Sequence, residues 1–144
     1  MRNRNGGNTV KNNLFQFEIP TKNPQEFVDI TYLIDSTIEK SGIQNGILVI
    51  YFSHTTAGIT INDNDYPDLV RDIIASLNSV FPVEGDYRHC EGNSHAHIKS
   101  SYTGAEKTII VNQGEPILGT WQSVYFCEFD GPRRRKIFIK VMSD

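Results

Sequence analysis

The sequence predicts a single α+β domain, and three observations carry that expectation. Apolar runs of four to eight residues, rich in Val, Ile and Phe, recur along the chain and are too short for helices. Only two stretches place apolar residues at helical spacing. At 144 residues the chain has the usual length of one domain, enough to bury roughly 68 to 70% of its unfolded surface without crosslinks.

Residues 1–13 are rich in Asn and Gly and are expected as a disordered tail, with residues 14–144 as the domain. Residues 14–19 read as a strand stopped by Pro20, and 27–30 as a second strand pairing with it in an opening hairpin. Thr31 or Asp35 stands where a cap would begin a short helix through Ile34 and Ile38, which share a face and run towards Gly42. The run 47–52 is a central strand by length and composition, and its end delivers His54. A β-like stretch at 59–61 leads to acidic residues and then to the strongest helix signal. There Pro67 suits the first turn, Asp68 complements the dipole, and Leu69, Ile73, Ile74, Leu77 and Phe81 form an apolar stripe ended by Pro82. The polar stretch 83–94 carries Tyr87, His89 and Glu91 and is longer than a turn needs, which makes it a candidate site loop. The rest reads as strands over 107–111, 117–129 and 135–142, with turns at Asn112-Gln113-Gly114 and Gly131-Pro132.

Hydrophobic residues at 38%, charged residues at 22% and a net charge of −3 describe a globular protein, neither disordered nor built to coat nucleic acid. Cys90 and Cys127 lack C-x-x-C spacing, so neither a disulfide framework nor a thiolate zinc site is expected. The polar start has no signal-peptide core, and no apolar run reaches the roughly 18 residues that span a bilayer. The expectation is a reduced, cytoplasmic protein with no membrane partner.

Neutral imidazole is the commonest protein ligand for zinc and similar ions, and a catalytic site typically uses three protein ligands with one position open. His54, His89 and His97 supply that number if they converge. The alternative is that each is a surface or hydrogen-bonded histidine. His95 ranks below them: in a strand it shares a face with His97, whereas in a helix the two diverge. His89-Cys90-Glu91 matches the H-x-E of zinc deaminases, but no P-C-x-x-C follows. Asp63, Asp65 and Asp68 fail as a calcium loop, because Asp68 and Ile74 stand where Gly and Glu are needed; Asp63 is left as a second-shell acceptor for a ligating histidine. The run Arg133-Arg134-Arg135-Lys136 is short and alternates across a strand in an acidic protein, so at most two members address one site. Nucleic acid is not expected as a partner.

The motifs His54-Thr55-Thr56-Ala57, Asn62-Asp63-Asn64, Tyr87-Arg88-His89-Cys90-Glu91-Gly92-Asn93 and His97-Ile98-Lys99-Ser100-Ser101 resemble the YjbQ-type secondary thiamine-phosphate synthase family. Gly119-Thr120-Trp121-Gln122 and Glu128-Phe129-Asp130-Gly131-Pro132-Arg133 look like its other signature, and the resemblance covers residues 14–142. It implies an α+β fold with a largely antiparallel β-sheet or sandwich and about two helices, assembled as a homotrimer with sites near subunit boundaries. It also implies a weak activity joining a hydroxymethylpyrimidine diphosphate to a thiazole phosphate with loss of pyrophosphate. The family's histidines match His54, His89 and His97, and His95 falls at a variable position. Tyr66 precedes Pro67 where the family often has Asp.

The expected function is therefore a metal-assisted enzyme acting on a small phosphorylated molecule. His54, His89 and His97 would hold a divalent ion, zinc or magnesium. Glu91, His89 and Asp130 are the candidate catalytic groups. Lys99, Arg133 and Thr55 are expected at the phosphate, and Trp121 and Gln122 at the organic end. The alternative is a non-catalytic trimeric anion-binding or scaffold protein.

Overall fold

Among the described residues every strand pairing is antiparallel. The computed structural model describes residues 8–10 and 12–144, in the order β1 (Asn8–Val10), β2 (Leu14–Pro20), β3 (Glu26–Asp29), α1 (Thr31–Ser41), β4 (Gly46–Tyr51), β5 (Ala57–Asp63), α2 (Pro67–Val80), α3 (Ser94–Thr103), β6 (Glu106–Asn112), β7 (Glu115–Pro116), β8 (Gln122–Glu128) and β9 (Arg134–Ser143). Six strands form one sheet in the order β1-β2-β9-β4-β6-β7, and three form a second in the order β3-β8-β5.

The two sheets face each other across the main core. Alternation aims Phe15, Phe17 and Ile19 of β2, Ile137, Ile139 and Val141 of β9, and Leu48 and Ile50 of β4 inward, where they meet Ile59 of β5 and Val124 and Phe126 of β8. Phe52 closes on Phe126 edge-to-face, with ring centroids 5.5 Å apart. Leu33, Ile34 and Ile38 of α1 join the same core, and α1 ends on Gly42, whose φ of 70° is the left-handed turn that glycine adopts without a Cβ clash. From Ser123 onward β8 is buried on both faces. Its other face carries Cys127 against Ala96 of α3, with Phe129, Phe27 and Leu77 packed alongside. The layers are thus large sheet, small sheet, then α3 with α2, while α1 packs on the main core.

Four expectations need correction. Residues 14–19 and 27–30 do not form a hairpin: β2 pairs with β9 and β3 with β8. The connection crosses between sheets, held by the Thr21 hydroxyl on Glu128 and by the Gly131 amide on the Pro24 carbonyl. The strand expected over 117–129 begins at Gln122, because residues 117–121 turn back, with the Gln122 amide on the Gly119 carbonyl. Among the described residues there are three helices: α3 was hidden because its apolar residues show no helical stripe. Asn8–Val10 of the expected tail pair with β2; residues 1–7 and 11 lie outside the described residues.

α3 lies close to β5. A Cβ on Gly58 would collide with the Thr103 side chain, so glycine at this position permits the contact.

Candidate functional site

α3 begins at the end of the loop that the sequence singles out, and the site gathers around its first turn. The loop is folded on itself by the Tyr87 hydroxyl donating to the Pro82 carbonyl at 2.6 Å and the Tyr87 amide to Gly85 at 2.8 Å. That fold brings His89 edge-on to His97 of α3, with ring centroids 5.4 Å apart. Tyr87, Arg88, His89, Ser94, His97 and Ile98 line an open cleft of about 390 Å³. Ser94 is 8% exposed and its hydroxyl has no partner, as is true of the adjacent Asn93 Oδ1. Asn93 stands at the N-cap without capping through its side chain, so the positive end of the helix is left open beside the cleft.

At the N-cap of α3, Asn93 Nδ2 donates to Asp130 Oδ2 at 2.9 Å, and Arg133 Nη2 donates to the same oxygen at 3.0 Å. Burial alone would raise the Asp130 pKa, but these donors outweigh it and hold the carboxyl below its ordinary range. Asp130 is therefore a weak base and a holder of Asn93. Behind it lies a closed network. Glu128 is fully buried and is gripped by Arg135 through both carboxylate oxygens, by the Thr21 hydroxyl at 2.7 Å and by the Asp130 amide at 3.1 Å. Arg135 also donates to the Thr56 carbonyl and hydroxyl. Burial pushes the Glu128 pKa up and these bonds pull it further down, so it stays ionised. With its acceptors occupied, Glu128 belongs to the architecture.

The three expected histidines do not meet within one chain. His89 and His97 are together, but His54 accepts a hydrogen bond at Nε2 from the Lys136 amide at 3.0 Å and stacks on Phe52. Burial, then the Arg135 charge, lowers its pKa. The neutral ring thus carries its proton on Nδ1 and has no free lone pair for a metal. Among the described residues no three or more of His, Cys, Asp and Glu are grouped to hold an ion. Two imidazoles fall short of the three protein ligands of a catalytic zinc site, so the residues of a single chain do not fit that group.

Lys99, expected at a phosphate, is wholly buried. Helical spacing puts it one turn from His95 on the face turned to the sheet, where Nζ lies 2.7 Å from His95 Nδ1 and contacts Asn78 Oδ1. Trp121 and Gln122 stand at the opposite end of β8 from Asp130, about 20 Å away for a strand of that length, and Gln122 Oε1 accepts from the Gly119 amide at 2.8 Å. They do not share a pocket with Asp130 in one chain. Glu91 and Thr55 are exposed. The basic run alternates as expected: Arg135 points in, while Arg133, Arg134 and Lys136 are exposed. Sequence reasoning missed Arg88, Ser94 and Asn93. The available signal was Asn93-Ser94, a pair typical of a helix start, at the end of the site loop.

No helix among the described residues is long and apolar enough to cross a membrane. Residues 15–144 match the YjbQ family, described as UPF0047 protein YjbQ-like. A UPF0047 protein of Methanocaldococcus jannaschii is 51% identical over 131 residues, covering 91% of this chain and 95% of its own. UPF0047 protein YugU of Bacillus subtilis is 48% identical, covering 87% and 96%. Among solved structures, an uncharacterised conserved protein of the YjbQ/UPF0047 family from Clostridium acetobutylicum superposes with a TM-score of 0.87 at 51% identity, covering 88% of this chain and 98% of that one. A protein of unknown function from Sulfolobus solfataricus superposes with a TM-score of 0.87 at 32% identity, covering 91% and 96%. By its sequence and its fold together, this chain belongs to the YjbQ-like UPF0047 family.

Proposed function

We propose that the protein acts on a small phosphorylated molecule whose phosphate sits in the cleft at the start of α3. The observation that carries this reading is the unpartnered, buried Ser94 hydroxyl on the first turn of a helix, bordered by Arg88, His89 and His97. A buried hydroxyl without a partner costs about 1–3 kcal/mol, and an anion would satisfy it. The guanidinium, the two imidazoles and the open helix end all favour negative charge. The same groups would stabilise charge developing on a departing pyrophosphate. This suits a thiamine-phosphate synthase-like transfer in which a thiazole nitrogen displaces pyrophosphate from a pyrimidine-methyl carbon. No step is assigned to a metal.

Assembly is part of the proposal. α2 has no buried residue, although Leu69, Ile73, Leu77, Val80 and Phe81 share a groove with Tyr102. An apolar face of this kind supports contact between subunits in a homotrimer.

The test is calorimetric titration with pyrophosphate of the wild type, Arg88→Ala and Ser94→Ala, followed by turnover with the two thiamine precursors. Each variant is expected to bind at least about tenfold more weakly, as loss of a hydrogen bond to a charged group implies. Unchanged binding in both would remove the cleft from consideration. Binding without turnover would favour an anion-binding protein over an enzyme.

A further inference from the structure

The cleft uses one face of α3; the other face carries a pair of residues that none of the above employs. Lys99 is fully buried, and no carboxylate lies within ion-pair distance of it among the described residues. Its three nearest polar atoms are neutral acceptors from three elements: His95 Nδ1 at 2.7 Å on α3, Asn78 Oδ1 at 2.5 Å on α2, and Gln25 Oε1 at 3.4 Å ahead of β3. Three acceptors match the three donors of an ammonium group. If Nζ donates to Nδ1, that nitrogen must present its lone pair, and the proton of a neutral ring must sit on Nε2. An imidazolium beside the ammonium would set two positive charges against each other in a buried place. Among the described residues Nε2 has no partner, yet it is not among the buried unpartnered atoms. The small exposed part of His95, 5% of the residue, therefore includes this nitrogen. The carboxylate whose field reaches the ring is Asp130, which also holds Asn93.

We propose that Lys99 is a positioning residue. By donating to Nδ1 it locks His95 in the Nε2–H tautomer and makes it a neutral hydrogen-bond donor within the field of Asp130. Such a donor is suited to an uncharged acceptor on a ligand, such as a hydroxyl oxygen, a carbonyl oxygen or a ring nitrogen. Anionic groups are disfavoured there by Asp130 and go to the Arg88 side. Burial lowers the Lys99 pKa to about 8, which keeps the ammonium as the main form at neutral pH, in agreement with the geometry.

The experiment is long-range ¹H–¹⁵N correlation spectroscopy of the histidine rings in the uniformly labelled full chain at neutral pH. For wild type the expected result is one His95 tautomer, protonated at Nε2 and bare at Nδ1, with an Nε2 proton that exchanges with water. A proton on Nδ1, a tautomer mixture, or an Nε2 proton protected from water would each overturn the proposal. In Lys99→Met, provided the amide spectrum shows a folded chain, His95 is expected to become a mixture of tautomers. An unchanged ring spectrum would show that Lys99 does not position it. The wild-type spectrum decides the question even if the variant does not fold.

Discussion

Two polar clusters lie on either side of Asp130, and they differ in one respect: the Glu128–Arg135 cluster is closed and the Ser94–Arg88 cluster is open. In the first, every carboxylate oxygen and the guanidinium find partners inside the protein. In the second, a buried hydroxyl and a buried amide oxygen find none. Polar groups inside proteins are nearly always paired, so closure is the mark of architecture and an unpaired group asks for something from outside. By this criterion Glu128 belongs to the architecture, Asp130 is a poor candidate for a base, and Ser94 and Arg88 are the groups on which the proposed binding rests.

The largest expected effect comes from opening the closed cluster. Glu128→Ala leaves Arg135 charged, buried and unpaired, and should cost about 3–5 kcal/mol in chemical denaturation, with pyrophosphate affinity unchanged where the variant remains folded. Because the Glu128 pKa is depressed in the folded state, its contribution is fully present above the ordinary carboxylate range. It is lost as pH falls through the folded value. Wild type should therefore lose more stability on acidification than Glu128→Gln does, and parallel acid profiles would contradict the assignment.

Lys99 lies between the two kinds of cluster, being satisfied but without a counter-charge. Its folded pKa of about 8 is below the unfolded value of 10.5, so the unfolded chain binds more protons between these limits and stability rises with pH there. The melting temperature of wild type relative to Lys99→Met should increase from pH 8 to 10. A constant difference would mean that the ammonium suffers no desolvation. The open cluster should respond in the opposite sense. Ser94→Ala removes an unpaired hydroxyl and should stabilise the protein by up to about 1 kcal/mol while weakening pyrophosphate binding. Smallest is Arg88→Ala: at an exposed position it should alter stability by no more than about 0.5 kcal/mol, although binding falls.

How far the fold was legible depended on whether its cause was local. The inward alternation of β4 and β9, the Pro67 start of α2 and the Gly42 end of α1 are written in neighbouring residues, and the sequence shows them. α2 and α3 mark the boundary. α2 has the clearer apolar stripe yet buries no residue, whereas α3, with no stripe, buries Ser94, His95, Ala96 and Lys99. Periodicity reports that a face is apolar, but not whether anything covers it, and a helix that buries polar side chains is invisible to it. At the site, the loop that carries His89 was expected, but the helix that carries His97 was not. His54 was misplaced because its acceptor nitrogen is occupied by the Lys136 amide, 82 residues away. Lys99 was misplaced for a like reason: its partners are fixed by helix register and by the packing of α3 on α2, which spacing alone does not contain.

The missing side chain at residue 58 acts at a distance. α3 is ten residues long, a stiff rod of about 15 Å, and its last residue, Thr103, rests where a methyl group on residue 58 would have to stand. A single added carbon there would push that end away from the small sheet and tip the other, where Ser94 lines the cleft. The alignment of the cleft is in this sense set by a hydrogen atom at the far end of the lever.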